Sequence, residues 1–189
     1  MPAAYQDDAA DRLAVRKATG ADAATVGDVY MRSWLDGYEG LVASDRLLPV
    51  AADRAAYDWV AAIGADESRF ALGFVDGLAA GITKIGPDPT ESAPGTWLDL
   101  LYVTQEFWGT GIARKLLEWA VVQAQLAGAP LVRLRVVEAQ RRARRFYERE
   151  GWTYDDDIAP TRNDFFDLIC MRLDLAGPRS PRGDVIGPR

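Results

Sequence analysis

The chain contains no histidine and a single cysteine, Cys170, in 189 residues. Without imidazole there is no Ser-His-Asp or Cys-His nucleophile pair, no histidine-ligated zinc and no imidazole acid or base. One cysteine excludes an intrachain disulfide framework and fits a reducing compartment. Proton transfer must use a carboxylate, tyrosine, lysine, cysteine, chain terminus or water. Positive charge is in deficit: 22 Lys+Arg against 28 Asp+Glu give a net charge of −6. Proteins that live on nucleic-acid phosphates carry the opposite sign as a rule, so no nucleic-acid partner is expected. No apolar run approaches the ~20 residues of a membrane span. The acidic start, Met1 to Asp8, lacks the basic and apolar regions of a signal peptide. A soluble cytoplasmic protein with no membrane partner is expected.

What is present suffices for one globular domain: 49% of residues are hydrophobic and 26% charged, enough apolar material for a core. Residues 1–11 read as a flexible arm, 12–176 as the domain, and the Pro-, Gly- and Arg-rich stretch 177–189 as a disordered tail. Leu13–Lys17 alternates like a strand. Thr19 and Asp22 offer a capping box for a helix carrying Val26, Val29, Tyr30 and Trp34 at helical spacing, interrupted by Gly37 and Gly40. A second helix is predicted over 51–63, with Ala52, Ala56, Trp59, Val60 and Ile63 inward and Gly64 closing it. Phe70–Val75 and Leu78–Ile85 flank Asp76-Gly77, the favoured two-residue hairpin turn. A loop with three prolines follows over 86–95. The nearly all-apolar segment Trp97–Val103 reads as a central strand. The helix through Ala113, Leu116, Leu117, Ala120 and Ala124 ends at Gly128 and Pro130. Leu131–Val137 (strand), Ala139–Glu150 (helix), Trp152–Tyr154 and Phe165–Leu173 (strands) complete the order βααβββαβαββ. Three consecutive strands followed by two strand–helix alternations predict an α/β fold with a mixed sheet and helices on both faces. Ligands of such sheets lie at the carboxyl ends of strands, which points to Val103–Arg114.

That segment holds Trp108-Gly109-Thr110-Gly111-Ile112-Ala113-Arg114 between a strand and the first turn of a helix. Glycines permit close backbone approach, and the unpaired N–H groups of a helix start suit a pyrophosphate. Arg114 and Lys115 can add charge. A Walker loop would need Gly-Lys-Ser/Thr, and a dinucleotide fingerprint would need a third glycine where Arg114 stands, so both are excluded.

Leu101-Tyr102-Val103 followed by Gly109-x-Gly111-Ile112-Ala113-x-x-Leu116-Leu117 resembles the acyl-CoA-binding motif of the GNAT acyltransferase superfamily. Gly111 and Ala113 match its last two positions, and Trp108 stands where the family has Arg or Gln. Ala143-x-x-Phe146-Tyr147-x-x-x-Gly151-Trp152 resembles the later motif of the same family, with Gln140 at an Asn position and Trp152 at a final Phe. The resemblance implies a central mixed six- or seven-stranded sheet flanked by about four helices. It also implies acetyl-CoA as acyl donor, no metal, and a primary amine of a small molecule or peptide as acceptor. Dimers are common in this superfamily, so a homodimer is one expectation.

By the same resemblance, the backbone of Leu101, Tyr102 and Val103 would hold the pantetheine arm beside a splayed or bulged strand. Gly109, Thr110, Gly111, Ile112, Ala113 and Arg114, next to Trp108, would cradle the pyrophosphate. Gln140 would touch the cofactor, and Tyr147 would sit near the thioester sulfur as proton donor. Trp34 and Tyr38, with Gly40 and Leu41, would help to wall the acceptor pocket. An alkylamine with a pKa of ~10.4 must lose a proton before attack, and Asp99, on the strand leading into the site, is the candidate base. The rival reading is a non-catalytic acyl-CoA-binding or regulatory module. Arg141, Arg142, Arg144, Arg145 and Arg149 read as a solvated basic helix face, one or two of them near the 3′-phosphate of CoA. Asp155-Asp156-Asp157 reads as a solvated loop, and Cys170 as a buried strand thiol. The net acidity of the chain favours a cationic acceptor.

Overall fold

The computed structural model describes residues 12–38, 40–65, 69–87, 95–163 and 165–175. The expected arm at 1–11, the tail at 177–189 and most of the proline-bearing loop lie outside them. The elements are β1 (Leu13–Lys17), α1 (Ala23–Tyr38), α2 (Ser44–Ala55), α3 (Trp59–Gly64), β2 (Arg69–Val75), β3 (Leu78–Pro87), β4 (Thr96–Val103), α4 (Ile112–Leu126), β5 (Leu131–Val137), α5 (Arg141–Arg149), β6 (Thr153–Tyr154), β7 (Thr161–Arg162) and β8 (Asp167–Asp174). Eight strands form one mixed sheet in the order β1-β2-β3-β4-β5-β8-β6, with β7 also paired to β8. Among the described residues no helix is long and apolar enough to cross a membrane.

The class and mixed sheet are as expected; two details differ. The single helix expected over 51–63 is two helices, α2 starting earlier and running through Pro49. The chain breaks at residues 56–58 because the Asp58 side chain accepts a hydrogen bond from Ala61 N (2.9 Å) and caps a new helix. Ala56 and Val60 are exposed as a result, Ile63 alone of the five expected inward residues is fully buried, and the side chain of Ala52 lies outside the description. The short β7 is an added strand; two residues carry no readable alternation.

The alternation of β2 explains the layers. Phe70 and Leu72 join Val26, Val29, Tyr30 and Trp34 of α1 in one cluster. Ala71 and Val75 face the other way, against Ile112 and Leu116 of α4. The capping box of Thr19 and Asp22 forms ahead of α1. Asp76 (φ 49°) and Gly77 (φ 78°) make the left-handed hairpin turn that their identities suggest. The β4–α4–β5 crossover joins parallel neighbours.

Asp155 corrects the reading of its acidic run as solvated. It is buried, and its carboxylate receives Arg133 Nε at 2.8 Å and Arg172 Nη1 at 3.5 Å. Burial alone would raise this carboxyl, but the Arg133 hydrogen bond and charge outweigh it and hold the group below the usual carboxylate range. A depressed folded-state pKa stabilises the fold above the unfolded value of ~3.9, and that stability is lost as pH falls through the folded value. Asp155→Asn should cost about 2–3 kcal/mol at pH 7, below the ~3–5 kcal/mol of fully enclosed pairs because Arg172 is partly exposed. Chemical denaturation of both proteins from pH 7 to 3 should show the difference shrinking below pH ~4. A constant difference would refute the linkage.

Candidate functional site

The site begins with a fault in the sheet. In β4, Leu98 pairs with Ile85 and Leu100 with Lys84, so Asp99 is an extra residue in a bulge. On its other edge β4 pairs with β5 only at Thr96↔Val132 and Trp97↔Arg133. Beyond Trp97 the two parallel strands diverge, and the β4 edge over Leu101–Val103 faces a groove of about 690 Å³ rather than a neighbour.

The far wall of the groove is α5, through Ala143, Phe146 and Tyr147. Its floor is the strand-to-helix connection. Gly109 (φ 81°) and Gly111 (φ 95°) adopt left-handed backbone that side chains disfavour. Among the described residues, the N–H groups of Gly109, Gly111 and Ala113 make no backbone hydrogen bond, whereas Ile112 N donates to Thr110 Oγ1 (3.4 Å). Three N–H groups at the start of a 15-residue helix form an anion cradle.

Of the expected residues, the groove gathers Leu101, Tyr102, Val103, Trp108, Gly109, Gly111, Ala113, Arg114, Gln140 and Tyr147. Leu41 lines it as well. Thr110 and Ile112 do not: Thr110 bonds Phe107 O (2.8 Å), and the Ile112 side chain is wholly buried against β2. Arg114 is less available than its position suggests, because Glu118 (3.2 Å) and Glu150 (3.4 Å) take its Nε. Gln140 uses its amide to donate to Gly37 O at 2.9 Å, tying the start of α5 to the end of α1.

Trp34 and Tyr38 are not on the groove. Trp34 is buried in the α1 core and packs on Tyr38, which stacks on Phe166. Asp99 is not there either. It lines a second cavity of about 400 Å³ between the α1–α3 layer and β4, with its Oδ2 2.6 Å from Lys84 Nζ. Tyr30 lines that cavity, Tyr102 lines the groove, and their rings meet edge-on at 5.4 Å. The phenols of Tyr102 and Tyr38 lie close enough to influence one another's ionisation. Burial pushes the phenols of Tyr30, Tyr38, Tyr102 and Tyr147 up from their ordinary range, so all four stay protonated at neutral pH.

One contact lies beyond the sequence reading. The Arg142 guanidinium carbon lies 3.5 Å from the ring centroid of Trp108, whose indole N–H donates to Val103 O (2.8 Å). Desolvation there lowers the Arg142 pKa from its ordinary value. The indole thus presses a guanidinium onto the rim of the cradle, where Trp108 itself carries no charge. The sequence signal is the place of Arg142 in the first turn of α5, the helix facing the strand ends.

In this fold a glycine-bearing turn at a helix start lies beside a splayed parallel strand pair. The family model for acetyltransferase (GNAT) family matches residues 30–152, and the chain belongs to that family. Solved structures agree in fold. PaiA N-acetyltransferase from Thermoplasma acidophilum, in complex with coenzyme A, is 20% identical with a TM-score of 0.71, covering 86% of this chain and 98% of its own. An acetyltransferase from Thermus thermophilus is 20% identical, with a TM-score of 0.60, over 86% of this chain and 97% of its own. A protein assigned as an acetyltransferase, yncA from Salmonella typhimurium, solved with its cofactor acetyl-CoA, is 19% identical with a TM-score of 0.59 over 90% and 98%. No match was found among curated proteins.

Gly111→Ala places a Cβ in left-handed backbone and 3.4 Å from Leu13 Cδ1. It should cost about 1–2 kcal/mol of unfolding free energy, read by denaturant titration. No change would mean that the backbone relaxes out of the left-handed region and that the cradle does not require glycine.

Proposed function

We propose that the protein is an N-acetyltransferase that moves an acetyl group from acetyl-CoA to a primary amine of a small molecule or peptide by direct attack. The observation that carries this reading is the unpaired β4 edge ending in the glycine cradle, within a member of the acetyltransferase (GNAT) family.

The residues fit the donor. A pyrophosphate would sit on the N–H groups of Gly109, Gly111 and Ala113, with Thr110 and Ile112 shaping the turn. Arg142, held on Trp108, would supply the N–H donors that an Arg or Gln side chain would otherwise supply at position 108, and a positive charge with them. The backbone of Leu101, Tyr102 and Val103 would take the pantetheine amides as an added strand would. Gln140 would meet the cofactor through its remaining amide oxygen, and Arg114 flanks the cradle.

In the reaction, the amine nitrogen forms a bond to the acetyl carbon as the carbon–sulfur bond breaks. The amine proton passes to the Asp99 carboxylate, and the departing thiolate accepts a hydrogen bond from the Tyr147 hydroxyl and takes its proton, where it takes one, from solvent. Among the described residues, Asp99 is the one carboxylate lining the second cavity, which we assign to the acceptor; Trp34 and Tyr38 do not line it, though Trp34 lies beneath Arg54, which does. Tyr147 suits a hydrogen-bond donor role because burial keeps its phenol protonated. The leaving thiol is itself acidic, with a pKa of ~8.5, so the help needed is small.

Calorimetry should detect acetyl-CoA binding, and Arg142→Ala should weaken it roughly 10-fold with little change in melting temperature. Unchanged affinity would remove Arg142 from the donor site, and no binding to the wild-type chain would overturn the proposal. In a thiol-release assay over an amine panel, Tyr147→Phe should lower kcat about 10²-fold while leaving the acetyl-CoA Kd and the melting temperature nearly unchanged. Asp99→Asn should lower kcat and alter the rising limb of the pH–rate profile; a wild-type profile would retire Asp99 as base. Binding without turnover of any amine would leave the non-catalytic acyl-CoA-binding module.

A further inference from the structure

We infer that the acceptor carries a carboxylate as well as its amine, on an apolar or aromatic body, and that Arg54 recognises that carboxylate; this rests on the assignment of the second cavity to the acceptor. The cavity of about 400 Å³ is within the ~300–1,000 Å³ range of small-molecule sites. Its walls are mainly aromatic, with Tyr57, Trp59 and Phe70 facing the space.

Three charged side chains line it. Lys84 and Asp99 neutralise each other in an ion pair of 2.6 Å. Arg54, from the last turn of α2, leaves one positive charge in excess, because among the described residues it meets no carboxylate. Its Nη1 donates to the Tyr30 hydroxyl, while its Nε is buried with no hydrogen-bond partner. The guanidinium lies over Trp34 at 5.0 Å and Tyr30 at 5.9 Å, which fixes its plane. A guanidinium offers a fork of donors matched to a carboxylate, and a buried donor left unpaired is costly. An incoming carboxylate meets the excess charge and gives the guanidinium fork an acceptor from the cavity side.

The polarity of the cavity then orders the ligand. The carboxylate is held at the α2 side, the apolar body lies on the aromatic wall, and the amine is directed to Asp99 and Leu100, where β4 runs on into the groove. Local charge here opposes the preference for a cationic acceptor drawn from the net charge of −6. An α-amino acid with an aromatic or large apolar side chain has this chemistry; a polyamine does not.

The test compares phenylalanine with phenethylamine, which differ only by the carboxylate, using the full chain, acetyl-CoA and thiol release. Binding of phenylalanine is followed separately by calorimetry. Wild-type protein should favour phenylalanine in kcat/KM by roughly 10- to 100-fold, and Arg54→Gln should abolish that preference while phenethylamine changes only a few-fold. Arg54→Lys, which keeps the charge without the fork, should restore part of it and guards against a folding defect in the first variant. Turnover of both amines with no preference, or a preference that survives Arg54→Gln, would overturn the inference and leave the acetyltransferase reading standing. If no amine is turned over, Arg54-dependent binding of phenylalanine still supports the inference, and its absence overturns it. Failure to bind acetyl-CoA would strike the donor assignment instead, which calorimetry with acetyl-CoA alone distinguishes.

Discussion

The separation of β4 from β5 after Trp97 is the constraint on which the rest of the site depends. Two paired residues hold the parallel strands together, and the bulge at Asp99 then turns β4 away. A buried backbone edge without a partner is costly, so divergence is tolerated only if something else meets those groups. Part of the answer is internal: Trp108 Nε1 donates to Val103 O. The remainder of that edge borders the groove. The same divergence seats the start of α4 and the start of α5 on one groove, so one fault in the sheet both opens the space and supplies its charge.

How the cradle acquires its charge illustrates a limit of motif spacing. Position 108 is aromatic, and by spacing alone the cation is missing. In three dimensions it arrives from a residue 34 positions further on, Arg142, stacked on that same tryptophan. The indole does two jobs at once: its N–H closes a hydrogen bond to the end of β4, and its face desolvates and orients a guanidinium from another helix.

Much of this fold is readable because its signals are local. The Asp76-Gly77 turn, the Thr19–Asp22 box and the step pattern of Leu116, Leu117 and Ala120 each act within a few residues, and each element forms where its pattern stands. The glycine cradle is readable for the same reason. What escapes requires knowledge of neighbours. Asp155 looks like one member of a solvated acidic run, and nothing nearby in sequence announces Arg133 and Arg172. Trp34, a pocket residue by resemblance alone, is drawn into the core by α2 and Phe70. Asp99 stands out on its strand, but only the bulge and Lys84 place it in a cavity apart from the groove. Arg54 is invisible as long as its helix is read as starting at residue 51 and ending at 63, which obscures the break that makes α2 end beside β4.

The absence of histidine leaves its mark on the chemistry between the two cavities. That boundary is built from phenols: Tyr30 against Tyr102, Tyr102 near Tyr38, and Tyr38 close enough to Tyr147 to raise its pKa further. Because burial holds all four protonated, they contribute oriented O–H dipoles and no net charge across the working pH range. On the proposed mechanism, neutral O–H donors there would meet a developing thiolate without a change in their own charge. A row of imidazoles in the same place would change charge near pH ~6.5 and make the boundary itself a titrating element. With phenols there, the boundary between the two cavities keeps one charge state at neutral pH.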